Sequence, residues 1–288
     1  MGDVELDSQV DSAIAEVLAA EEQGAAIEEA AAPEQGDTAE IEEDEACGSL
    51  DEFTPEELAP EEEDEDLTGN LSLIRISDID GVPLFYARGV PPRPTSFSID
   101  PAYKSMLVDT VKTVRFRAPA SFGKLVRITS AGAFVAKPGM HGLGRAFDHD
   151  RWTFQHVDIK PIAHDHASSS RATRQRYWAL AALMRSHCAY VLHGLYNQAH
   201  EDHLHQDNGG PYGFTTSSEA TVKLVQAICR EIFRMTEVHP DGDFGSTSRD
   251  AARKAMQKVD LAGDINDRTQ FKRFLLRSGR LGFELSMK

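Results

Sequence analysis

GLYNQAHEDHLHQD, residues 194–207, ends in an alternation of polar and apolar positions that fits a short strand. Residues two apart on a strand face one side, so His203 and His205 point into one pocket while Leu204 turns to the core. One imidazole can then sit on a metal, with the other beside its bound water. The partner stretch upstream is KPGMHGLGRAFD, residues 137–148. On a continuous helix His141 and Asp148 would share a face but lie about 10 Å apart along the axis. That is too far for one metal with bonds near 2 Å. Gly142 and Gly144 disfavour a helix in any case. A glycine turn that delivers Asp148 at the start of a strand brings both groups to one ion. Two His and one carboxylate with an open fourth position form a common catalytic zinc set. Such a site polarises a carbonyl and acidifies water, and a neighbouring imidazole can take a proton or stabilise an oxyanion.

Ten of the eleven histidines lie between positions 141 and 205. A lone histidine is usually satisfied by one hydrogen bond in the core, whereas clustering favours metal or acid–base chemistry. His164-Asp165-His166 repeats the His-x-His pattern before a serine-rich loop, without a flanking strand signal. That pair reads as the rim of the site or as support behind its ligands.

The surrounding sequence predicts an α+β fold, a small antiparallel sheet with flanking helices that carries the zinc site. NLSLIRISDIDGVPLFYA (70–87) reads as one or two short strands around a turn at Asp80-Gly81. Pro101 to Val114 has helical spacing in Tyr103, Met106, Leu107 and Val111. Strand-like runs follow at 125–136 and 152–159. After the serines 168–170 a helix is expected with Tyr177, Trp178, Ala181, Met184 and Cys188 on one face. YVLHGLY (190–196) and HLHQD (203–207) are further strands. Past Gly213 the pattern is helical, near 217–234, 247–258 and 268–277, with turns at 241–245 and 262–266.

Charge divides the chain sharply. Residues 1–70 hold 26 Asp and Glu and no Lys or Arg, which leaves 30 basic against 21 acidic residues in 71–288. The body therefore carries about +9, although the whole chain is at −17. Residues 1–68 read as a disordered acidic tail, because like charges repel and little apolar surface offsets ordering. Within it Val10, Ile14, Val17 and Leu18 recur at helical spacing. The basic body suits an anionic polymer, but it lacks a basic stripe interleaved with aromatics, so no nucleic-acid partner is expected. Three widely spaced cysteines, Cys47, Cys188 and Cys229, fit neither a disulfide scaffold nor a Cys-based zinc finger. No secretory signal or membrane span is read from the sequence.

The two histidine motifs together resemble the extensin-like C-terminal domain family of the lysostaphin / D-Ala-D-Ala metallopeptidase / hedgehog superfamily. The pattern H-x-x-G-x-A-x-D is met by His141, Gly144, Ala146 and Asp148. The pattern N-x-x-H-x-D-H-x-H-x-D is met by Asn197, His200, Asp202, His203, His205 and Asp207. The likeness covers roughly residues 95–210. It implies zinc held by His141, Asp148 and His205, with His203 as the catalytic imidazole, and cleavage of peptide bonds in peptidoglycan. Asp202 and Asp207 would orient the imidazoles, and His200 would act beside them or on substrate. Relatives often carry an Arg and a Cys just upstream of the first zinc His, and ITSAGAFVAK (128–137) offers neither. Lys137 or Arg145 is the expected substitute for that Arg.

HPDGDFGSTSRDAARKAMQ (239–257) is similar to the core of helical peptidoglycan-binding modules. The resulting expectation has three parts: an acidic tail at 1–68, a zinc metallopeptidase domain at 69–213 and a helical wall-binding domain at 214–288. Zinc is the expected cofactor and peptidoglycan the expected partner. The tail would serve secretion, phage or contractile injection machinery that carries a cytoplasmically made protein to the wall or periplasm. The rival expectation is a non-catalytic wall-binding or structural protein stabilised by zinc.

Overall fold

The computed structural model describes residues 72–288. The expected acidic tail and the helical spacing at 10–18 lie outside the described residues.

The first strands are β1 (Ile74–Ile76), β2 (Asp78–Ile79) and β3 (Val82–Tyr86). Asp80 and Gly81 between β2 and β3 have φ of 51° and 76°. Two successive positive φ values make the hairpin turn whose twist matches its strands. Two more short strands follow, β4 (Arg93–Pro94) and β5 (Phe97–Ile99). Helix α1 (Pro101–Arg117) starts where the Asp100 carboxylate accepts from the amides of Ala102 and Tyr103, with proline at its first position. It buries Tyr103, Leu107, Val111 and Val114 along one stripe. The helix stops before Pro119, which holds Ala118 in extended backbone.

Strand β6 (Leu125–Ser130) pairs parallel with β3, the one departure from the antiparallel expectation. The crossover between them includes α1, and parallel neighbours require such a connection. Only the first half of the 125–136 run is strand. The run at 152–159 is a hairpin, with β8 (Arg151–Phe154) and β9 (Asp158–Ile159) joined through a turn closed by Phe154 N–H on the Val157 carbonyl. These strands form a sheet in the order β2-β3-β6-β8-β9, with β4 on β3, while β1 and β5 pair separately.

The sheet that carries the His203–His205 pair and Asp148 has three strands. Its order is β10 (Tyr190–Leu192), β11 (Leu204–Asp207) and β7 (Ala146–His149), all antiparallel. Helix α2 (Arg171–Arg185) packs behind it, capped by the Ser170 hydroxyl on the Thr173 amide. The sequence pattern gives α2 one apolar face, yet every residue from Tyr177 to Arg185 is buried. Neighbours on several sides explain this. Helix α1, strand β10 and two of the C-terminal helices pack on α2.

The C-terminal helices are α3 (Glu219–Ala227), continued by a π-helical turn to Ile232, α4 (Ser246–Lys258) and α5 (Arg268–Leu285); α3 and α5 are the two that reach α2, and α4 packs on α3 and its π turn. Helix α5 runs eight residues beyond the expected end at 277. Gly279 and Gly282 carry it against α2: a Cβ on Gly282 would meet the Ala179 Cβ at 2.9 Å, and one on Gly279 the Leu183 side chain at 2.5 Å. Glycine survives within this helix because its absent side chain permits the close approach. No helix among the described residues is long and apolar enough to cross a membrane.

Candidate metal centre

Register builds this site. Strands β7 and β11 pair so that His205 stands directly opposite Asp148. Opposed residues of an antiparallel pair project on the same face, so the ladder itself joins groups 57 positions apart. Nδ1 of His205 lies 3.0 Å from Oδ1 of Asp148. Strand alternation then places His203 and Asp207 on that face too, while Leu204 is fully buried on the other. Gln206, also on the far face, bonds Thr110 and His149.

His141 arrives from the irregular 131–145 segment. There the Gly144 amide donates to the His141 carbonyl and the Arg145 amide to that of Met140. A Cβ on Gly142 would fall 1.8 Å from the Lys137 carbonyl oxygen, and Gly144 has a φ of 68°. The turn is therefore closed to larger residues, and the glycine-turn expectation holds. Asp148 follows as the third residue of β7, with Nε2 of His141 at 3.3 Å from its Oδ1.

Each imidazole in the cluster gives one N–H to a protein oxygen, and the second nitrogen of both His141 and His205 turns to Asp148. His141 donates from Nδ1 to the Ala133 carbonyl, and His205 from Nε2 to Asp207 at 3.1 Å. His203 donates from Nδ1 to Asp202 at 2.9 Å, and His200 from Nδ1 to Asn197. Nε2 of His203 lies 3.6 Å from Asp148 Oδ1. This is how proteins fix the tautomer and aim of metal-binding histidines. Two groups of three can hold a metal ion among the described residues: His141, Asp148 and His205, and also His200, His203 and His205. In each group the ligand atoms lie within 4.8 Å of one another.

Without a metal, the cluster is held together by charge. Burial works against a charge on His205, but Asp148 and Asp207 outweigh it and raise its pKa to about 9. Burial likewise opposes ionisation of Asp148, yet hydrogen bonds from His141 and His205 hold its carboxyl well below the usual range. Burial, with the charges of His205 and His203, drops His200 to about 3. The hydrogen bond from His203, helped by Arg88, holds Asp202 near 2.

Arg88, from the segment between β3 and β4, joins the cluster as well. Its guanidinium donates to Asp202 at 3.1 Å and lies 3.9 Å from Asp150. No local pattern marks it, since 114 positions separate it from Asp202. Asp150 did have a signal: it stands two residues beyond Asp148, the spacing that aligns His203 with His205. It is fully buried, which pushes its carboxyl up to about 8 despite Arg88. Lys137 is exposed, and Arg145 is turned to Asp100 at 3.6 Å, at the start of α1. Neither is tied to the cluster by an ion pair among the described residues.

Two of the other histidines, His149 and His193, are buried in the core. His149 bonds Gln206 and accepts from Trp152, and His193 bonds the Ala220 carbonyl. His164 and His166 stand 6.0 Å apart between ring centres, and neither belongs to a metal-capable group among the described residues. Compared with protein-family models, curated proteins and solved structures, the chain matches none.

Proposed function

We propose that the chain is a zinc-dependent peptidase that cleaves peptide bonds in bacterial peptidoglycan. One observation carries the reading: His141, Asp148 and His205 converge, and each imidazole spends its other nitrogen on a protein oxygen. Two neutral nitrogens and a carboxylate fit zinc, and three protein ligands leave a position open. When bound there, zinc supplies Lewis-acid polarisation of a carbonyl and acidification of water.

The remaining work falls to the chain. His203 keeps a lone pair on Nε2 beside the cluster, where it takes a proton from attacking water and returns it to the leaving amine. Asp202 holds that tautomer through Nδ1, and Arg88 holds Asp202. Asp207 fixes the His205 ring. Arg88 is about a third exposed, so it also stands ready to meet a substrate carboxylate or carbonyl. A zinc used only for stability would need no imidazole oriented in this way, which favours catalysis over the structural alternative.

Peptidoglycan as substrate rests on the motif resemblance, as does a wall-anchoring role for 214–288. The acidic segment 1–68 would then dock a delivery machine. The test is incubation of the full chain with purified peptidoglycan, with and without chelator and with zinc restored. Release of new amine termini that follows zinc supports the reading. Zinc-loaded protein that releases none refutes it.

A further inference from the structure

We propose a second, weaker cation position beside the first, formed by His200 and His203, whose occupancy stops hydrolysis. The proposal rests on the reading of His141, Asp148 and His205 as the catalytic zinc site.

His200 has no part in that first ligand set, yet it is built like a ligand. Its Nδ1 is held by Asn197, which leaves Nε2 with a lone pair. Its ring centre lies 5.1 Å from that of His203 and 5.6 Å from that of His205. These three imidazoles bring one ligand atom each within 4.8 Å, and imidazole is a donor that zinc accepts readily.

The two groups overlap at His205, and chemistry decides who takes it. His205 has committed Nε2 to Asp207, so only Nδ1 can bind metal, one ion at a time. Nδ1 already faces Asp148 at 3.0 Å. The first ion therefore claims His205. A second ion is left with His200 and His203. Two imidazoles bind less tightly than the first set, which holds two imidazoles and a carboxylate. Any cation there also takes the His203 lone pair, which the proposed reaction needs for its proton.

The test uses the full chain, dialysed to equilibrium against buffered free zinc over a wide range, with bound metal measured by elemental analysis. Two steps of uptake are expected in the wild type. His200→Ala should keep the tight step and lose the weak one. Asn197→Ala, which spares the imidazole but frees its ring, should weaken the second step and carries the test should His200→Ala fail to fold. Carboxylates of residues 1–70 will also take up zinc loosely, but equally in every variant, so the difference between variants isolates the site. Peptidoglycan hydrolysis by the same samples, each normalised to its own maximum, should fall about 100-fold across the second step, as for loss of a general base. In His200→Ala that fall should be absent. A single step in the wild type overturns the second position while leaving the first intact. Absence of any tight step overturns both. A weak step that survives both substitutions, or one without loss of hydrolysis, overturns the assignment to His200 and His203.

Discussion

Zinc affinity should climb steeply with pH, because binding must displace a proton from His205. In the metal-free protein both ring nitrogens of His205 face carboxylates, and its pKa is raised to about 9. The folded value lies above that of a free imidazole. The proton therefore stabilises the metal-free fold fully below about pH 6.5, and that stability is lost as pH rises through about 9. Zinc needs Nδ1 bare. At pH 7 removal of the proton costs about 3 kcal/mol, two units at roughly 1.4 kcal/mol each. Apparent affinity should thus rise about tenfold per pH unit between pH 6.5 and 8.5 and level off near 9. Asp207→Asn removes one of the two carboxylates that hold the proton, so its curve should level off at lower pH. Competition with a chromophoric chelator at fixed ionic strength measures the slope, and calorimetry in buffers of differing ionisation enthalpy counts the protons released. About one proton per zinc is expected at pH 7. A flat affinity between pH 6.5 and 8.5, with no proton released, would refute the claim that His205 gives Nδ1 to the metal.

Three other outcomes follow from the geometry. His205→Ala should lose zinc and hydrolysis together, whereas His203→Ala should keep about one zinc per chain and lose roughly 100-fold in rate; paired metal and turnover measurements reveal whether these roles are reversed. Arg88→Ala should leave zinc content unchanged but cut the rate on the order of 10-fold through the loosened Asp202 and His203, with a shifted rate–pH profile and partial recovery in Arg88→Lys. Gly142→Ala should destabilise the fold by about 1–3 kcal/mol, because its Cβ would collide with the Lys137 carbonyl, a backbone atom that cannot step aside cheaply. Zinc affinity should fall with it, since the same turn carries His141; a denaturation midpoint equal to wild type would count against that turn.

The sequence by itself determined the local elements around the site. Asp100-Pro101 marks the start of α1, Ser170 that of α2, and Asp80-Gly81 the β2–β3 turn, because caps and turns depend on a few adjacent residues. The alternation in HLHQD likewise put His203 and His205 on one face, since strand period is a backbone property. What only the tertiary structure decided is which distant groups meet. The β7–β11 register sets His205 against Asp148, and a slip of one residue would put His149 or Phe147 there instead. His149 and His205 look alike in the sequence, yet packing sends one to Gln206 and Trp152 in the core and the other to two carboxylates. Arg88 reaches Asp202 across 114 positions through the placement of β3 and its following segment. Helix α5 passes Gly279 and Gly282 because α2 lies against them. These pairings rest on non-local packing, where burial against a particular neighbour outweighs the local preferences that a sequence displays.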